Sequence, residues 1–102
     1  MKKILGIYGA SGLGREVLEL ANIINRKYQY WEKIIFIDDN ENLDKVNNVK
    51  VYSYQKAKEL YKDMLEGVIA IGEPEIKHKL YDKLLYDKID FATLIHPDIH
   101  IP

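Results

Sequence analysis

The stretch Gly9-Ala10-Ser11-Gly12-Leu13-Gly14 constrains this chain more than any other segment, because it separates two hydrophobic patterns of different period. Before it, Ile4 to Tyr8 is a short apolar, β-compatible run that stops at glycine, as a strand buried on both faces should. After it, Leu13, Val17, Leu20, Ala21 and Ile24 recur at three- and four-residue intervals, which predicts one apolar face of a helix from about Gly12 to Lys27. A strand that feeds a helix through a glycine turn presents backbone N–H groups at the helix start, where they can receive an anion. Glycine lets that backbone approach phosphate oxygens closely, although a tight turn with no ligand asks for the same residues.

The rest of the chain repeats the alternation. Ile34 to Ile37 forms a second buried strand, ended by the turn-forming residues Asp38, Asp39 and Asn40, and completes a βαβ unit. Asn40 to Asn48 is polar and aperiodic and is expected to be a surface loop; Val49 to Tyr52 is a short strand or merely extended. Ser53 suits the cap of a helix whose apolar stripe is Ala57, Leu60, Tyr61 and Met64, with Gly67 closing it. Val68 to Ile71 follows as a third strand, then Gly72, and Pro74 suits the first turn of a helix with Ile76, Leu80 and Leu84 on its buried side. Phe91 to Ile95 is expected to form a fourth strand before His96 and Pro97 break the pattern. Strands alternating with helices predict an α/β fold, a small Rossmann-like parallel sheet of about four strands with right-handed crossovers and helices on both faces.

In such a sheet ligands bind at the carboxyl ends of the strands. Gly9 to Gly14, Asp38 with Asp39, and Gly72 with Glu73 all follow strands and are therefore expected along one edge. The glycine spacing is Gly-x-x-Gly-x-Gly rather than Gly-x-Gly-x-x-Gly, and no Gly-Lys-Ser/Thr ending follows, which disfavours nucleoside triphosphate hydrolysis. Asp38 and Asp39 would repel a diphosphate at contact distance, so they suit a ribose hydroxyl or a base N–H, both donors, or else a solvated turn. A ribose contact would also suit a nicotinamide dinucleotide, and a module that keeps the fold without catalysis is a further alternative.

Several function classes recede on composition. A chain of 102 residues with 47% hydrophobic residues suits one compact domain. It has no cysteine, which removes disulfides and thiolate zinc sites, and the four-residue spacing of His96 and His100 is interrupted by Pro97, so no metal site is expected. Fifteen basic against sixteen acidic residues leave no basic block for a nucleic-acid backbone. Lys2 and Lys3 precede an apolar run that Gly9 to Arg15 ends too soon for a signal core or a membrane span, so no membrane partner and a cytoplasmic location are expected. Glu73 and Glu75 flank Pro74 where acidic residues favour the helix dipole, and His78 reads as an exposed helix residue. Tyr28, Tyr30 and Trp31 are expected to pack between the first helix and the second strand. No Ser/His/Asp grouping or carboxylate pair stands out as catalytic.

The set Ile7-Tyr8-Gly9-Ala10-Ser11-Gly12-x-Gly14, Phe36-Ile37-Asp38-Asp39, Ala70-Ile71-Gly72 and Leu94-Ile95-His96-Pro97 resembles, in order and spacing, the amino-terminal domain of bacterial nucleotide-sugar and sialic-acid acetyltransferases of the PglD/NeuD type. The resemblance implies a nucleotide-sugar-binding domain over residues 1–95, probed by a UDP-amino-sugar, and a start at residues 96–102 of a left-handed β-helix of hexapeptide repeats. That β-helix would trimerise the parent protein, bind acetyl-CoA and carry the catalytic His, so this chain alone is expected to be inactive. By the same resemblance Gly9, Ser11, Gly12, Leu13 and Gly14 would form the diphosphate loop. Asp38 and Asp39 would meet the uracil or ribose, and Gly72 would close the pocket near Glu75. Family members often carry His where this chain has Leu13, a departure that removes a polar contact.

Overall fold

A computed structural model describes residues 2–94. Three segments pair in parallel at its centre: β1 (Lys3–Tyr8), with β2 (Trp31–Ile37) on one side and β5 (Leu65–Ile69) on the other. The sheet is completed by β3 (Lys45–Val46), β4 (Val49–Tyr52) and β6 (Asp90–Phe91), in the order β3-β4-β2-β1-β5-β6. All neighbours are parallel except β3 and β4, which form an antiparallel hairpin. The sheet thus has six strands where about four were expected. The additions are the hairpin strands β3 and β4: β3 is two residues long and carries no period to read, and β4 is the segment Val49 to Tyr52 that the sequence leaves between strand and extended chain.

Helix α1 (Gly12–Tyr28) covers one face. Its buried residues Gly14, Leu18, Ala21 and Ile24 meet Leu5, Ile7 and Phe36 of the central strands, together with Val51 and Ala70. Helices α2 (Tyr54–Tyr61) and α3 (Pro74–Tyr86) cover the other face, where Tyr54, Ala57 and Leu84 pack on Ile4, Ile35, Ile37 and Leu65. Central strands buried on both faces account for the unbroken apolar runs. Each fully buried side chain of the size of Leu5, Ile7 or Phe36 removes enough apolar surface to stabilise the fold by roughly 1.5–3 kcal/mol.

Helix phase corrects three expectations of burial. The inward stripe of α1 starts at Gly14, so Leu13, one residue out of phase at the first turn, is 42% exposed. In α2 the stripe is Tyr54 and Ala57 with Tyr61 at its border, which turns Leu60 outward. Ile76 stands in the first turn of α3 and is also exposed. Ser53 caps α2 as expected, its hydroxyl accepting from Lys56 N at 3.2 Å, and Pro74 opens α3.

Gly67 does not close α2. The helix ends at Tyr61, Lys62 takes a left-handed φ of 48°, and a 3-10 turn over Lys62–Met64 leads into β5, which starts three residues earlier than expected. Gly67 lies inside that strand, where a Cβ would come within 2.8 Å of Leu84 Cδ2, so the glycine admits α3 close to the sheet. The fourth expected strand reduces to Asp90–Phe91, extended by Ala92 N donating to Gly67 O; Ile95 lies outside the described residues. Of the expected aromatic cluster only Trp31 is buried, donating from Nε1 to Glu66 at 2.8 Å, while Tyr28 and Tyr30 stack on each other in the open.

Candidate functional site

Strand order reverses direction at β1, since the chain moves from β1 to β2 and β4 and then returns to β5 on the other side. The carboxyl ends of β1 and β5 flank the switch point, where open α/β sheets hold their ligands. The glycine loop sits there. Gly9 has φ +113°, a conformation L side chains rarely adopt, and a Cβ on it would lie 2.7 Å from the Ala70 carbonyl oxygen. Its N–H donates to Ile37 O at 2.8 Å, and Ala70 N donates to Tyr8 O at 2.8 Å, so backbone bonds tie together the ends of all three central strands.

The two other glycines of the loop differ in kind. A Cβ on Gly14 would sit 1.9 Å from Gly9 O, so Gly14 is required for α1 to lie against the loop at all. Among the described residues a Cβ on Gly12 would meet nothing within 4 Å. Packing among the described residues therefore gives no reason for glycine at position 12, and close approach by a ligand is left as one.

Ser11 occupies the N-cap position of α1 in extended conformation, but its side chain makes no capping bond, and the first turn holds no acidic residue. Arg15 N is bonded to Ser11 O at 3.0 Å; the amides of Gly12, Leu13 and Gly14 precede it and belong to the helix start, where intrahelical acceptors do not exist. A helix of 17 residues thus presents uncapped N–H donors and the positive end of its dipole beside an open glycine.

The two aspartates after β2 point different ways. Asp38 reaches the loop, accepting from Ala10 N at 3.1 Å through Oδ2 and from Asn40 N at 3.0 Å through Oδ1. Asp39 reaches the opposite face, accepting from the Tyr8 hydroxyl at 2.8 Å through Oδ2 and from Tyr54 N at 3.0 Å through Oδ1. Gly72 is exposed, and a Cβ there would meet nothing within 4 Å. Glu75 stands in the first turn of α3 and lines a shallow cavity of about 370 Å³ with Pro74, His78 and Lys79. The structure therefore joins Gly9 and Gly14 to each other and Asp38 to the loop. Among the described residues no hydrogen bond links Glu75 or Gly72 to them.

A polar chain beside this site escaped the sequence. Lys83 Nζ donates to the Tyr8 hydroxyl at 3.2 Å, and its ammonium lies 4.3 Å from the centre of the Tyr54 ring, which stacks on Tyr8. The Tyr54 hydroxyl donates to Asp87 Oδ2 at 2.5 Å, and Lys58 pairs with the same oxygen at 3.2 Å. Burial raises the Tyr8 phenol above its ordinary range, and the hydrogen bond to Asp39 adds to this; burial and then Asp87 do the same at Tyr54. The one sequence signal was a tyrosine ending an otherwise aliphatic strand.

A cavity of about 430 Å³ lies at the other edge of the sheet, between the starts of β1 and β5 and the end of α3. Lys3 pairs there with Asp90 and Lys58 with Asp87, so the charges that line it largely satisfy each other. Among the described residues no group of three or more His, Asp or Glu converges as a metal site, and no helix is long and apolar enough to cross a membrane. His96 and His100 lie outside the described residues.

Sheet order, helices on both faces and the glycine turn define a Rossmann-like α/β domain. The chain belongs to the PglD N-terminal domain family, which matches it over residues 4–84. No curated protein matches it significantly. Among solved structures it is similar to the acetyltransferase domain of PglB from Neisseria gonorrhoeae FA1090 in complex with acetyl coenzyme A, at 25% identity and a TM-score of 0.80, covering 96% of this chain and 46% of that one. WeeI from Acinetobacter baumannii AYE is similar at 27% identity and a TM-score of 0.80, covering 95% and 45%. The Rex-family repressor RSP in complex with beta-NADH shares the fold at 19% identity and a TM-score of 0.62, covering 99% and 50%. The chain thus spans about half the length of the proteins it matches.

Proposed function

We propose that this chain binds a nucleotide-sugar, with a UDP-amino-sugar as its probe, and forms the amino-terminal part of an acetyl-CoA-dependent sugar N- or O-acetyltransferase. The uncapped start of α1 beside Gly12 carries this proposal: donors without acceptors, next to a glycine that the packing does not need. Membership of the PglD N-terminal domain family and the likeness to an acetyltransferase domain complexed with acetyl coenzyme A support the transferase half.

In this account the diphosphate sits on the amides of Gly12, Leu13 and Gly14, with Gly9 shaping the turn and Ser11 free to add its hydroxyl. A phosphate there gains on the order of 0.3–2 kcal/mol from the dipole beyond its hydrogen bonds. Asp38 keeps a negative charge on Ala10 N, which steers the diphosphate along the helix start and away from the strand end. Asp38 and Asp39 offer acceptors to the ribose or uracil, and Gly72 and Glu75 border the sugar. The catalytic His and the acetyl-CoA site belong to a β-helix led into by residues 96–102, which would make the parent a homotrimer and leave residues 1–95 inactive alone. The setting is cytoplasmic, without nucleic acid or metal.

Calorimetric titration with a UDP-amino-sugar and, separately, with NAD tests the binding half. Saturable UDP-sugar binding that weakens in Asp38→Ala is expected; NAD binding alone would mean a dinucleotide domain instead. Acetyl transfer by the chain itself would overturn the assignment of catalysis to a separate domain.

A further inference from the structure

Asp39 is exposed, yet both of its oxygens are held from within. An exposed carboxylate ordinarily rotates freely and loses that freedom on binding a ligand. Here Tyr54 N holds Oδ1 and the Tyr8 hydroxyl holds Oδ2, which leaves the remaining lone pairs of each oxygen available in one fixed orientation. Capping α2 needs only the bond to Tyr54 N. The second bond is built further: the Tyr8 hydroxyl donates to Asp39 while accepting from Lys83, so its proton is committed to the carboxylate. Lys83 has no carboxylate within ion-pair distance among the described residues and lies over the stacked rings of Tyr8 and Tyr54. Hydrogen bonds in such a chain polarise one another.

We propose that Tyr8 and Lys83 are positioning residues that hold the Asp39 carboxylate ready for a donor on the bound nucleotide, a role that rests on the nucleotide-sugar assignment above. Lys83 touches no ligand itself. It orients the phenol, and the phenol orients the carboxylate, so the effect of Lys83 on binding exists only while Asp39 can accept.

A double-mutant cycle read by calorimetric titration of UDP into the chain tests this, with wild type, Lys83→Met, Asp39→Asn and the double variant, each checked by thermal melting. Lys83→Met is expected to weaken UDP about tenfold, equivalent to about 1.4 kcal/mol, at near wild-type melting temperature, and to add nothing in the Asp39→Asn background. Equal affinity in wild type and Lys83→Met, or an undiminished effect in the Asp39→Asn background, overturns the positioning role while leaving nucleotide binding intact. Absence of UDP binding by the wild type overturns the nucleotide assignment itself. If Lys83→Met melts early, Tyr8→Phe removes the hydroxyl alone and Lys83→Arg keeps a donor. Weakened binding in the first and restored binding in the second support the role, and the reverse pattern contradicts it.

Discussion

A methyl group at Gly12 and one at Gly14 ask different questions of the same loop. Gly14→Ala would drive a Cβ into the Gly9 carbonyl, a backbone atom that cannot yield as a side chain does, so destabilisation at or above the upper end of about 1–3 kcal/mol is expected on melting. Gly12→Ala meets open space at the first helical position, so it is expected to keep stability or raise it by up to about 1 kcal/mol. On the proposed diphosphate site its effect falls on binding, because the methyl would stand in the path of a phosphate. Asp87 answers to pH. The Tyr54 hydroxyl, and then Lys58, hold its carboxyl below the ordinary value of 3.8 despite an opposing desolvation cost. A depressed carboxylate stabilises the fold above its unfolded pKa, and that contribution is lost as pH falls through the folded value. Asp87→Asn is therefore expected to melt below wild type at neutral pH and to converge with it as pH drops below 3.8.

Elements long enough to show a period were legible in the sequence, and those set by contacts were not. The period predicts helix α1 over Gly12 to Lys27 and the helix spans Gly12–Tyr28, because its start is fixed by a glycine turn and its stripe runs for about three turns. The two-residue strand β3 exists through its partner, and no propensity of two residues could announce it, whereas β6 is legible as a strand but starts one residue earlier than expected, at Asp90. The end of α2 is not legible, because Gly67 suits a helix stop in sequence yet lies inside β5, where it admits Leu84 of α3, a residue 17 positions later in the chain. Ser53 was legible for the opposite reason: capping is local. Ser53→Ala is expected to cost about 0.5–2 kcal/mol in denaturant unfolding, since Lys56 N then loses its acceptor. The same division holds at the site. The place of the glycine loop and both aspartates after strands is legible in the sequence, but the divergence of Asp38 and Asp39, and the reach of Lys83 to Tyr8 across 75 positions, depend on how the helices pack.

At the scale of the molecule, the switch in strand order brings an open helix start, a glycine without a packing role and a preset carboxylate to one edge of the sheet. The other edge holds a larger cavity whose charges are mostly paired, so volume alone would mislead. We propose that the α1 start receives the diphosphate of a nucleotide-sugar, and Gly12 separates that role from a loop that is only a turn. The measurement is a calorimetric titration of a UDP-amino-sugar into wild type and Gly12→Ala, with melting curves for both. Saturable binding by the wild type is expected, weakened at least about tenfold, or about 1.4 kcal/mol, in a variant that melts no earlier. Equal binding by the two proteins, or none by the wild type, would contradict it.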